Sequence, residues 1–296
     1  LVEAAAIVAA VETVLAGTDV RAPNSAERPP TVVAEHTADL TGWRIVVTAG
    51  GTAEPIDPVR FIGNRSTGRM GVAVVEAALD RGATVTLIAA NVSVTLPAAA
   101  TVVRVESTGQ MRAALLAVTT TPRGSAGFDA LVMAAAVADF RPARPAETKL
   151  TRTESLTLEL EPTPDLLAEV ARIARGLDAD GAATRRPLDP PPVLVGFAAE
   201  TGSLDRAVEK LARKRVDLLV ANDVTEPGSG FGTDTNRVTI LAADGGREDL
   251  PLLPKREVAD RLLDRVAAAL DDRDTARQTA GRTEPAAAPV AEETPR

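Results

Sequence analysis

Residues 61–71 read FIGNRSTGRMG: three glycines, an Asn, a Ser, a Thr and two Arg in one short turn. Glycines let backbone N–H groups come close to a ligand. Asn64, Ser66 or Thr67 is placed to cap the helix whose pattern begins inside the run. Free N–H groups and the dipole at such a helix start favour an anion. The plain alternative is an ornate helix start with no ligand. No G-x-x-x-x-G-K-[ST] occurs here, so there is no Walker lysine, and no G-x-G-x-x-G follows the preceding strand pattern, so the dinucleotide fingerprint fails. The second expected strand ends in AAN rather than in a ribose-binding acid.

Four further segments carry residue types suited to nucleotide chemistry. In AAAVADFRPARPAETKLTR, Ala134, Ala135 and Ala136 leave room above a strand end. Asp139 follows, where a carboxylate could hold Mg²⁺ against phosphates. Lys149 stands ten residues later in a Pro-rich loop; an exposed loop with ordinary charges is the competing reading. GFAAET (196–201) offers Phe197 to stack on a base, or simply a buried Phe at a strand end. PTPDLL (162–167) starts a helix at Pro164–Asp165, whose amides could meet a base edge or a phosphate, or merely open a Pro-led helix. Of 33 basic residues only four are Lys: 149, 210, 214 and 255. Where Arg is the default, a retained Lys suggests a need for a compact, flexible point charge, as at phosphates. Lys210 and Lys214 share one helix face at i, i+4, but periodicity does not say whether that face meets the strand tips or solvent.

The elements that must position these residues alternate along the chain. Strand patterns fall at 43–50, 83–90, 101–107, 128–136, 155–162, 192–200, 216–223 and 237–244, several of them continuous apolar runs of the kind that strands covered on both faces show. SLTLELEP (155–162) alternates instead, with Leu156, Leu158 and Leu160 on one face, and reads as an edge or antiparallel strand. Helix patterns run from Ser66 to about Arg81 and over 108–118, 164–176, 203–215 and 255–270. The alternation predicts a three-layer α/β/α, Rossmann-like sandwich with a mostly parallel sheet, whose ligands bind beyond the carboxyl ends of the strands. Residues 1–16 read as an Ala-rich helix, 17–40 as a linker and 271–296 as a tail with little to bury.

Composition excludes several classes. A formal charge of −8 argues against non-specific nucleic-acid binding. With no Cys and one His, His36, thiolate chemistry, a Ser-His triad and a multi-His zinc site are set aside. No apolar run approaches a membrane span, and no signal peptide is seen. The start at Leu1 suggests a fragment.

GGTAEPIDPVRFIGNRSTGRMG, AAAVADFRP, Lys149, PTPDLL, GFAAET, EKLARKRVDLLVAND and GFGTDTN occur in this order. Together they resemble the phosphopantothenate–cysteine ligase family, the C-terminal half of a bacterial bifunctional coenzyme A biosynthesis protein, over roughly 41–270. The resemblance implies that CTP, with Mg²⁺, activates 4′-phosphopantothenate as an acyl-cytidylate, which L-cysteine then captures. It implies a cytoplasmic homodimer, with an antiparallel extension of the sheet used for dimerisation. The first forty residues would be the end of a flavin-dependent decarboxylase half and its linker. Asn64 would serve the acyl-cytidylate, and Lys149 its formation from a loop that folds over the site. Met133, Ala134, Ala135, Asp139, Pro164, Asp165, Leu166, Leu167, Phe197, Lys210 and Lys214 match nucleotide-binding positions. Arg60, with Asn64, Ala135 and Ala136, is assigned to the pantothenate acid; for Arg60 the grounds are charge and position. The chain departs from the family at Thr67 and Arg69, and in a basic cluster reduced to Arg152. Two rival readings are an NAD(P)-dependent oxidoreductase and a non-catalytic nucleotide-binding module.

Overall fold

The computed structural model describes residues 38–119, 127–178, 180–184, 186–201 and 205–282. The expected helix at 1–16 and nearly all of the linker lie outside them. In chain order the elements are β1 (Arg44–Gly50), β2 (Ala53–Pro55), β3 (Phe61–Gly63), α1 (Arg69–Asp80), β4 (Thr84–Ala90), β5 (Thr101–Val105) and α2 (Thr108–Thr119). They continue with β6 (Ala130–Met133), β7 (Phe140–Pro142), β8 (Leu160–Pro162), α3 (Leu166–Ala174), β9 (Val193–Glu200), α4 (Asp205–Lys214) and β10 (Leu218–Asp223). β11 (Thr235–Asn236), β12 (Thr239–Ala242), β13 (Arg247–Asp249), β14 (Leu253–Pro254) and α5 (Lys255–Arg282) complete the fold.

The main sheet runs β13-β12-β10-β9-β6-β1-β4-β5. Its six parallel strands, numbered among themselves, stand in the order 3-2-1-4-5-6 of a doubly wound sheet. β12 and β13 extend it antiparallel. Alternate residues feed two cores, which explains the continuous apolar runs. Val46, Ile88, Leu131 and Leu194 pack with Met111 of α2 and Leu166 and Val170 of α3. Ile45, Val47 and Val132 pack on the other face with Val74 of α1 and Val258 and Leu262 of α5. The expected three-layer α/β/α arrangement is the one observed. No helix among the described residues is long and apolar enough to cross a membrane.

Three local expectations are corrected. α1 begins behind Gly68, which sits at φ 82°, and no side chain caps it; Asn64, Ser66 and Thr67 leave that end open. In SLTLELEP, Leu160–Pro162 alone forms a strand, antiparallel to β7. Among the described residues the rest pairs with no strand, and Leu156 and Leu160 remain exposed. The last helix does not stop near 270 but runs to Arg282. Arg273 anchors the added turns: its guanidinium donates to the carbonyls of Asp129 and Pro191 at 3.1 and 2.9 Å and lies over the Trp43 ring. Residues 283–296 of the expected tail lie outside the described residues.

Candidate active site

The doubly wound order reverses between β1 and β6, and loops leaving neighbouring strands there diverge to form a crevice. A cavity of about 580 Å³ lies at this point. The turn 64–71 forms one wall, Met133–Asp139 the floor, and Thr163–Leu167 with Phe197–Ala199 the side beyond β6. Lys210, Arg213 and Lys214 reach it from α4, and Gly230–Gly232 and Lys255 close the far side. Thirteen of the fifteen site residues expected from sequence line this one space; Arg60 and Lys149 do not.

The floor is fixed by two buried hydroxyls. Thr48 Oγ1 accepts from the Ala135 amide at 3.1 Å, and Thr52 Oγ1 from the Ala138 amide at 2.9 Å. Unpaired, those amides would be costly so close to the core. Asn64, just past β3, donates from Nδ2 to the Val137 carbonyl at 3.0 Å, which joins turn and floor. The third glycine of the turn has a packing role: a Cβ on Gly71 would stand 2.6 Å from that of Ala49, so α1 approaches β1 only without it.

Charge is concentrated here. Arg69, Lys210, Arg213, Lys214 and Lys255 line the cavity against only Asp139 and Asp165, in a chain of net charge −8. The α4 lysines, which periodicity could not place, point inward. Lys210 Nζ lies 2.5 Å from the buried Glu200 carboxylate, and Lys214 Nζ 2.8 Å from both oxygens of Asp165. Asp165 also caps α3 by accepting from the Ala168 amide. Lys255 is only 7% exposed and donates to the carbonyls of Gly230 and Thr233 at 2.9 and 2.5 Å. Burial, and then the nearby Arg69 guanidinium, push its ammonium below the ordinary lysine value, with Asp234 opposing.

The family of the DNA/pantothenate metabolism flavoprotein C-terminal domain matches residues 40–270. The chain belongs to this family. The coenzyme A biosynthesis bifunctional protein CoaBC of Bacillus subtilis is 41% identical over 79% of the chain, and that of Mycobacterium tuberculosis H37Rv 44% over 77%. The chain spans about half the length of these relatives, 53% of each. A crystal structure of the C-terminal domain of a CoaBC protein aligns with a TM-score of 0.63 at 34% identity, over 80% of this chain and 100% of that one.

In this family member, the two expected residues absent from the cavity lie together at another place. Arg60 donates from Nε to Asp57 Oδ2 at 2.9 Å and from Nη2 to the Leu150 carbonyl at 2.7 Å. Lys149, next to Leu150 in sequence, is exposed. Arg69 and Lys255 are cavity residues to which the sequence reading gave no role. Rarity of Lys marked Lys255, but its contacts depend on a fold-back of the segment at 230–236. Asn236 of that segment accepts from Ser229 Oγ at 2.7 Å and from the Gly230 amide at 3.3 Å, and so shapes the loop. No group of three or more His, Cys, Asp or Glu suited to a metal occurs among the described residues. Asp139 is exposed at the cavity floor, where its carboxylate could contribute an oxygen ligand to a divalent cation.

Proposed function

We propose that this domain joins 4′-phosphopantothenate to L-cysteine by an amide bond, using CTP. The observation that carries the reading is the convergence of five cationic side chains and an uncapped helix start on one cavity in an acidic chain. The CoaBC names of its relatives are consistent with it.

The pantothenate carboxylate attacks the α-phosphorus of CTP, a P–O bond breaks, and pyrophosphate leaves. The cysteine amine then attacks the acyl carbon of the mixed anhydride, loses a proton, and CMP leaves. Neither step needs a protein nucleophile, in keeping with a chain lacking Cys. Both need positioning and charge neutralisation. Lys210, Lys214 and the open N-terminus of α1 would hold the triphosphate, and Phe197, half-buried, would face the base. Asp139 would hold Mg²⁺, which supplies charge neutralisation between phosphates. Asn64 would hold the acyl oxygen. Lys149 would move in to the reacting phosphate, and Arg60 would meet the phosphate of the acid.

The domain would act in the cytoplasm as a homodimer. Phe61, Phe140, Leu156 and Leu160 are 63%, 53%, 55% and 43% exposed, and β2 and β7, from the hairpins bearing these apolar side chains, adjoin. Such a patch suits a second copy. Pyrophosphate release from CTP and ATP, with acid and cysteine each omitted in turn, tests the reading. Release that requires the acid and prefers CTP supports it; release indifferent to the acid rejects it.

A further inference from the structure

The carboxylate of Asp57 has no part in the steps above, yet its side chain is 0% exposed and more donors converge on it than a turn requires. The Val59 and Arg60 amides donate to Oδ1 at 2.8 and 2.9 Å. Arg60 Nε and the Leu150 amide donate to Oδ2 at 2.9 and 3.1 Å. Burial alone would raise the Asp57 pKa, but the hydrogen bonds from Val59, Leu150 and Arg60 outweigh it and hold the carboxyl well below the usual range. Closing the turn at 57–60 needs only the first two bonds. The bond to Leu150 spans 93 residues and serves something else.

The loop bearing Lys149 is docked on this turn at both ends. The Ala146 amide donates to the Ile56 carbonyl at 2.8 Å, and Leu150 is gripped from both sides: its amide by Asp57, its carbonyl by Arg60 Nη2 at 2.7 Å. The turn is the tip of the β2–β3 hairpin, whose second strand leads directly into Asn64. One carboxylate thus ties together the backbone beside Lys149, the side chain of Arg60 and the support of Asn64.

We propose that Asp57 is a positioning residue that fixes the root of the Lys149 loop and the Arg60 guanidinium to the Asn64 hairpin, so that the three groups meet the acyl half of the substrate as a unit. The inference rests on the ligase reading. Asn at this position keeps the size but removes the charge and turns one acceptor oxygen into an NH₂. Both oxygens of Asp57 face donors alone, so whichever way the amide turns, one pair of bonds is lost and the rest lose their charge assistance.

The test compares the unsubstituted chain with Asp57→Asn. Trypsin cleavage after Lys149 should speed up about tenfold or more, beyond what the accompanying fall in melting temperature accounts for, since a charge-assisted bond holding that loop is lost along with the stability linked to the Asp57 charge. The kcat for pyrophosphate release should fall about tenfold or more, and KM for the acid should rise, while the CTP dissociation constant stays within about twofold. Unchanged cleavage and kcat would overturn the proposal. So would a parallel loss of melting temperature, CTP affinity and kcat, which is the mark of a general structural role. If the variant does not fold, hydrogen exchange at Leu150 in the unsubstituted chain decides: strong protection is expected, and exchange at the rate of an open amide overturns the proposal. Absence of turnover in the unsubstituted chain would reject the ligase reading instead, and cleavage and exchange would still report on Asp57.

Discussion

The cavity at the strand tips and the hairpin region around Asp57 both gather residues that the sequence marks for chemistry, and they do so in different ways. In the cavity, loops from several strand ends meet α4 and Lys255 around one space, with the floor set by Thr48 and Thr52 and the α4 lysines by Glu200 and Asp165. The hairpin region turns Phe61 and Phe140 outward and leaves Lys149 exposed. On the ligase reading, one chain by itself builds the half of the site that would take the triphosphate. The half that would serve the acid is prepared but open, as expected if closure awaits substrate or a second copy.

The largest expected effect breaks the comparison at Lys149. Lys149→Gln should lower kcat for pyrophosphate release about a hundredfold or more, with CTP affinity by calorimetry nearly unchanged, because on the ligase reading the loop would bring charge to the reacting phosphate rather than to the resting cavity. A shift in affinity instead would make Lys149 part of the cavity. Phe140→Arg probes the open side. It should give monomers by sedimentation and an activity loss that rises as the protein is diluted. Lys214→Ala should act in the opposite region and weaken CTP about tenfold or more while leaving the acid's KM alone, since one charge-assisted contact is removed. Thr48→Val, which strands the Ala135 amide, should cost about 2 kcal/mol, or roughly 5 °C in melting temperature.

The smallest effect is in pH. The folded Lys255 has a lowered pKa, so between that value and the ordinary lysine value the unfolded chain binds more protons. Stability should therefore rise with pH across that window, and Lys255→Met should flatten the rise in chemical-denaturation midpoints.

Strand–helix alternation made the layers legible, since apolar runs such as WRIVVTAG are what strands covered on both faces show. The strand tips then made the cavity legible, through Ala134–Ala136, Asp139 and Phe197. Short pairings were not legible: β2–β3 and β7–β8 are pairs of three-residue strands, and β2, β7 and β8 each contain a Pro. The same holds for Arg69, which pairs with Asp234 across 165 residues, and for Asp57. Arg273 shows a related limit: a polar run reads as a tail because periodicity does not register an anchor on Asp129 and Pro191.

On the ligase reading, the cavity activates a carboxylate with CTP before cysteine is used. The most direct test is a single turnover with enzyme in excess over CTP, Mg²⁺ and 4′-phosphopantothenate present, and cysteine withheld. A rapid burst of pyrophosphate is expected, absent without the acid, followed by CMP release when cysteine is added. Pyrophosphate that appears without the acid, or only once cysteine is present, would contradict that reading.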